Sequence, residues 1–422
     1  MSPLTPVTEP CCSEYAAVSR RGLFAGAAAL LGTTTGFGSA VLTTSAARAA
    51  TPTRSVMVVV SLRGAADGMS LVVPHGDPVY YQARPGIAVP ADRLLVRDGF
   101  FGLHPELAPL VPWWTAGKMA AIQATGLPSP NRSHFSAMEE VEDADPGSDA
   151  RVGWLNRLVG VDTIDSPLQA FGVGGGAPPG SLVGPAPFLT GEAVDDIQVA
   201  GADGDTAAHR MSSLHTMWDG SAHPLAGAMR SVFAADTAFE PVRRTPVAPA
   251  SGARYDGGDL GRALRAAARV IKGDVGTQVL TVDHGDWDHH TDLGTLEWGQ
   301  MMRQARSLAT NLDAFLTDLG SFADKVTVVV LSEFGRRVKE NANRGLDHGY
   351  GNAMLVLGAG VRGGRYYGRW PDLESQADSD LTVTTDYRAV LWDVVAARFD
   401  ASPATVFPHF SPEESLGFMV TG

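Results

Sequence analysis

An α/β fold, with a mostly parallel central sheet and helices on both of its faces, is predicted by three observations. Ser55 to Ser61 (SVMVVVS), Gln278 to Val282 (QVLTV) and Lys325 to Leu331 (KVTVVVL) are unbroken β-branched runs, the pattern of strands buried on both faces of a parallel sheet. Between the last two, Met301, Ala305, Leu308, Leu312, Phe315 and Leu319 recur every three or four positions, which is one face of a helix. Strand, helix and strand in that order make a βαβ unit whose strands run parallel. Third, 422 residues at 44% hydrophobic and 19% charged can bury a sizeable core, which excludes a disordered or fibrous chain.

The N-terminal element reads as an address. Ser19-Arg20-Arg21-Gly22-Leu23-Phe24 places an arginine pair before a mildly apolar run, and Ala47-Arg48-Ala49 gives an A-x-A cleavage pattern. That order predicts a Tat-type export signal over residues 1–49, engagement of the Tat machinery, and a periplasmic or extracellular location. No other stretch is long and apolar enough to span a membrane, so no stable span is expected after cleavage. Cleavage after Ala49 would remove Arg20, Arg21, Arg48, Glu9 and Glu14. It leaves 30 basic and 44 acidic residues, a net charge of −14, and neither Cys11 nor Cys12. Such an acidic chain is a poor nucleic-acid binder, because phosphate backbones need clustered Lys and Arg. Without cysteine, a disulfide framework and a Cys-ligated zinc site are both excluded.

Residues 50–422 then read as one domain. The first strand breaks into the turn Arg63-Gly64-Ala65-Ala66-Asp67-Gly68. Apolar Met119 to Ala124 forms another strand, whose end opens a helix near Ser133. Residues 171–187 and 237–257 are rich in Gly and Pro and flank a helical stretch near 207–235. Residues 160–257 are therefore expected to form an inserted cap or lid. Gly172 to Ala177 imitates a dinucleotide loop, but Pro178 and Pro179 stand where the helix would begin. Ala353 to Leu357 supplies a further strand, and Tyr387 to Phe399 a closing helix capped by Thr385 or Asp386.

Ligands of open α/β sheets sit beyond the carboxyl ends of the strands, so the residues just after each run are the candidates. Asp67 follows the first. Asp283-His284-Gly285-Asp286-Trp287-Asp288-His289-His290 follows the second, and Ser332-Glu333-Phe334-Gly335-Arg336-Arg337 the third, leading on to Asp347-His348. Carboxylates and imidazoles without thiols form the donor set of hydrolytic divalent-metal sites. Alternation along an extended loop puts Asp288 and His290 on one side and leaves His284 and His289 as packing residues. Ser133, with Ser129 as the second candidate, is read either as an attacking hydroxyl at a helix start or as a plain helix cap, and Arg132 as an anion clamp.

LRGAADGMS, HPELAPLVPWWTAGKMAAIQATGLPSPNRSHFSAMEEVE, GDWDHH, SEFGRRVKENANRGLDHGYGN and VTTDYRAVLWDVV together resemble the bacterial domain-of-unknown-function 1501 family, in order from about residue 55 to 400. The resemblance implies, by distant similarity, an alkaline phosphatase/sulfatase-like fold. It also implies one or two divalent ions (Zn, Mn, Mg or Ca) around a helix-opening nucleophile. Carried over, Asp67, Asp288, His290, Asp347 and His348 would be metal ligands and Ser133 (or Ser129) the nucleophile; their places in the strand-end loops add Glu333 as a ligand and Arg132 or Arg336 as the clamp on developing charge. Glu333-Phe334 stands where that superfamily often has Asp-His, which points to a reduced site. The expectation is a metal-dependent hydrolase of small-molecule or polymer phosphate or sulfate esters. The alternative is a non-catalytic extracytoplasmic scaffold that keeps the fold.

Overall fold

The computed structural model describes residues 53–420, apart from 163–165, 176, 200, 201, 203 and 224, and the backbone of two short strands, Thr34–Phe37 and Ala40–Thr43. The arginine pair and the A-x-A pattern lie outside the described residues. Thr35–Gly422 form one compact unit of contacts, described below.

Eight strands of this unit bear on the site. They are β1 (Val56–Leu62), β2 (Met119–Gly126), β3 (Ala170–Val173), β4 (Leu189–Gly191), β5 (Val279–His284), β6 (Val326–Leu331), β7 (Asn352–Gly358) and β8 (Arg365–Tyr367). The helices used below are α1 (His134–Asp143), α2 (Ala207–Trp218), α3 (Ala226–Arg244), α4 (Asp259–Lys272), α5 (Gln300–Leu319) and α6 (Tyr387–Arg398). All seven residues of β1 are buried. Because successive side chains point to opposite faces, β1 feeds two cores. Val56, Val58, Val60 and Leu62 join Leu264 of α4 and Leu308, Leu312 and Phe315 of α5. Met57 and Val59 join Ala137 and Val141 of α1 and Val390, Leu391 and Val394 of α6. The result is three layers, helices over both faces of the sheet, as the β-branched runs imply. All six apolar positions expected on the face of α5 are buried.

From the Ala40–Thr43 side, the strand order is β4-β3-β5-β1-β6-β7-β2-β8. Strands β4, β3, β5, β1 and β6 are mutually parallel. β5 and β6 share a direction as the βαβ pattern requires, but β1 lies between them, with Met57 opposite Val279 on one side and Thr327 on the other. β7 is antiparallel to both β6 and β2, so β2 points with the parallel set again. The carboxyl ends of β1, β2, β5 and β6 therefore meet the amino end of β7 at one sheet edge.

The Gly/Pro-rich region 160–257 contributes β3 and β4 to this sheet as well as α2 and α3, and its helical stretch divides around Gly220. Asp386 caps α6 by accepting from Arg388 N at 2.9 Å. No helix among the described residues is long and apolar enough to cross a membrane.

Candidate metal centre

Two loops and the start of α1 bring histidines to that edge. His134 is the first residue of α1, His290 lies in the loop after β5, and His348 precedes β7. The Nε2 atoms of His134 and His348 are 3.0 Å apart, and those of His290 and His348 are 2.9 Å apart. Asp288 Oδ1 lies 2.9 Å from His290 Nε2, 3.4 Å from His348 Nε2 and 3.7 Å from His134 Nε2. One carboxylate oxygen and three imidazole nitrogens thus aim at a common point, and His134, Asp288 and His348 form a group close enough to share an ion.

The far nitrogens define the tautomers. His348 Nδ1 donates to the Arg132 carbonyl at 2.9 Å, and His134 Nδ1 donates to Glu333 Oε1 at 2.8 Å. A carbonyl and a carboxylate can only accept, so both neutral rings present lone pairs at Nε2. Two lone pairs at 3.0 Å repel unless a proton or a cation sits between them. Outer N–H groups held by a carbonyl and a carboxylate are the usual support of imidazole metal ligands. The residues present therefore fit a divalent ion.

Without a metal, a proton takes that place. Burial opposes charging of His134, but its hydrogen bonds to Asp288 and Glu333 overcome this and push its pKa up to about 9. Burial would also raise the Asp288 pKa. The surrounding His134, His290, His348 and Arg336 hydrogen bonds outweigh it and hold the carboxyl well below the usual carboxylate range. Glu333, 2% exposed, is likewise lowered, with burial outweighed by His134.

Several sequence-predicted residues stand elsewhere. Asp67 does not reach the cluster, because Arg84 grips both its oxygens at 2.5 and 3.0 Å and the pair is fully buried. Glu333 stands behind His134 instead of beside it. Its carboxylate accepts from His134, from Gly64 N at 2.9 Å and from Ser332 Oγ at 2.8 Å. Arg336, expected as a clamp, is 1% exposed and fully engaged. It donates to Ala65 O and Gly64 O at 2.6 Å, to Leu346 O at 3.0 Å and to Asp288 Oδ1 at 2.5 Å. Asp347 is exposed, held by Asn341 at 3.0 Å and 3.7 Å from His290 Nδ1. Ser133 is the N-cap residue of α1, and its own N–H donates to Asn131 Oδ1. Ser129 is exposed. The Arg132 guanidinium is partly exposed and paired with Asp380. His284 and His289 are buried packing residues. His134, inside the RSHF element beside Ser133, is not among the sequence-predicted ligands. The signal available was a histidine at the first position of a helix that follows a buried strand.

Gly64 closes the assembly. Its φ is +108°, and a Cβ there would lie 2.6 Å from Asp288 N. Only glycine allows the β1 turn to touch the Asp288 loop while offering its N–H to Glu333 and its carbonyl to Arg336.

The fold and site define an α/β protein with a three-histidine, one-carboxylate cluster at the carboxyl edge of its sheet. The family comparison is specific where the fold is general. The chain belongs to the DUF1501 family, described as proteins of unknown function, whose profile matches residues 103–391. Every histidine of the cluster, Asp288, Glu333 and Arg336 lies within that span. No curated protein matches the chain. Among solved structures, 16 chains match. One, titled "Crystal structure of Ps i-CgsB", aligns at 10% identity over 86% of this chain and 74% of that chain, with a TM-score of 0.31, too loose a likeness to inform the site.

Proposed function

We propose that the protein is an exported hydrolase of phosphate or sulfate esters that works with one divalent ion. The observation that carries this reading is the pair of lone-pair-bearing Nε2 atoms of His134 and His348, 3.0 Å apart beside Asp288. His134, His348 and Asp288 hold the ion, with His290 as the adjoining donor. The ion supplies Lewis acidity toward an ester oxygen. Arg336 places a fixed positive charge on Asp288 and Arg84 neutralises Asp67, which argues for one ion over two. Arg132, at the α1 start and paired with Asp380, is the expected clamp on the anionic group of the ester. Ser133 offers the attacking hydroxyl, and Ser129 is the alternative. Export rests on the Arg20-Arg21 pair and the Ala47-Arg48-Ala49 pattern.

Metal analysis of the purified chain, with aryl phosphate and aryl sulfate assays, tests the reading. About one equivalent of a divalent ion, lost in His134→Ala and His348→Ala, is expected. Less than about 0.2 equivalents, with turnover unchanged by chelator, overturns it. Ser133→Ala is expected to abolish turnover with an unaltered thermal transition, and full activity there moves the attack to Ser129 or to water.

A binding scaffold is the second reading, favoured by the commitment of both Asp67 and Asp288 to arginines. Bound metal with no turnover of any ester would support it.

A further inference from the structure

A second feature opens on the same sheet edge, beyond β3, β4 and β5. It is a cleft of about 720 Å³, the size that holds a sugar or a drug-like molecule, set between the start of α4 and the segment following β4. Three arginines of α4, Arg262, Arg265 and Arg269, line it, spaced three and four residues apart and so on one helix face. The segment after β4 contributes Glu192, Asp195 and Asp196.

Pairing removes most of these charges. Arg269, 5% exposed, forks onto Asp195 at 2.7 and 2.9 Å. Arg262 is bonded to Asp259, and Asp283 at the rim to Arg63 at 2.9 Å. What is left is uneven. Arg265, half-buried in the helix wall, has no hydrogen bond or ion pair among the described residues, and Glu192 and Asp196 on the other segment are likewise unpaired. Arg269 Nε is buried without a partner. One wall therefore offers an unmatched guanidinium and the other two unmatched carboxylates.

We propose that this cleft binds a zwitterionic ligand of the amino-sugar type. Its anionic group is received by Arg265 and its ammonium by Glu192 and Asp196. A purely anionic ligand would leave the carboxylate wall opposed to it, and a purely cationic one would leave Arg265 unmatched. The proposal stands on residues separate from the metal cluster.

Isothermal titration of the full chain with three ligands of one scaffold tests it: glucosamine 6-phosphate, glucose 6-phosphate and glucosamine. Glucosamine 6-phosphate is expected to bind at least about tenfold more tightly than either of the others. Arg265→Ala and the Glu192→Gln/Asp196→Asn pair should each remove that preference. Metal content and the thermal transition should stay unchanged in both. Equal binding of glucose 6-phosphate overturns the ammonium arm, and no binding of any probe overturns the site. Binding that survives Arg265→Ala and disappears in His348→Ala belongs to the metal centre and also overturns it. Failure of the metal reading itself shows separately, as missing metal.

Discussion

Glu333 stands behind His134, its carboxylate accepting the Nδ1–H of that ring at 2.8 Å. A carboxylate at the end of β6 is legible from the sequence, but whether it meets an ion or the back of an imidazole depends on where α1 starts, which spacing does not reveal. Behind His134 it orients the ring and raises its basicity. Glu333→Gln should therefore weaken divalent-ion binding about 10- to 100-fold while leaving stoichiometry at saturation unchanged, as read by titration with a competing chelator. Proton competition follows from the same contact. With the His134 pKa near 9, entry of the proposed ion below that pH would displace a proton. Calorimetry in buffers of different ionisation enthalpy should find about one proton released per ion at pH 7, falling toward zero above pH 9. The sign for stability runs the same way. A raised folded pKa stabilises the metal-free protein fully below the unfolded value near 6.5, and that contribution is lost as pH rises through 9.

At the scale of elements, β1, β5 and β6 are legible as unbroken β-branched runs and α5 as a three-to-four-residue repeat over its whole length. β3 and β4 are not. They have four and three residues, Gly172 interrupts one and Gly191 ends the other, and their burial comes from neighbours distant in sequence. The site inherits this split: the loops after long strands can be located from the sequence, whereas Arg84, which takes Asp67 away, carries no motif. The β1 turn is the element most sensitive to a single atom. Gly64→Ala meets both a positive φ and a backbone contact at 2.6 Å. It should cost about 2 kcal/mol or more in denaturant unfolding and lower metal occupancy, since Glu333 and Arg336 both lean on Gly64.

For the whole molecule, charge and burial combine to set an acid limit. His104 and His284 are buried, and burial lowers each pKa to about 4. A histidine kept neutral in the fold but protonated when unfolded stabilises the fold above pH 6.5, and the contribution is lost as pH falls toward 4. Each is worth about 3 kcal/mol at most, so unfolding free energy should drop steeply between pH 6.5 and 4. His104→Gln should flatten part of that slope. The acidic composition alone marks no such limit, since it depends on which histidines the core encloses.

The antiparallel course of β7 has a topological consequence. The stretch from Ser332 to Gly351 leaves the sheet on β6 and returns to it on the adjacent strand, so its two ends are tied one strand apart while Ala342 to Arg344 stand exposed. Glu333 is tethered through one end and His348 through the other. A single protease cut among residues 342–344 would sever the chain without releasing either group, and the nicked, non-covalently joined halves should still take up the ion. The candidate site is thus a closed hoop, which on the proposed reading should tolerate one break.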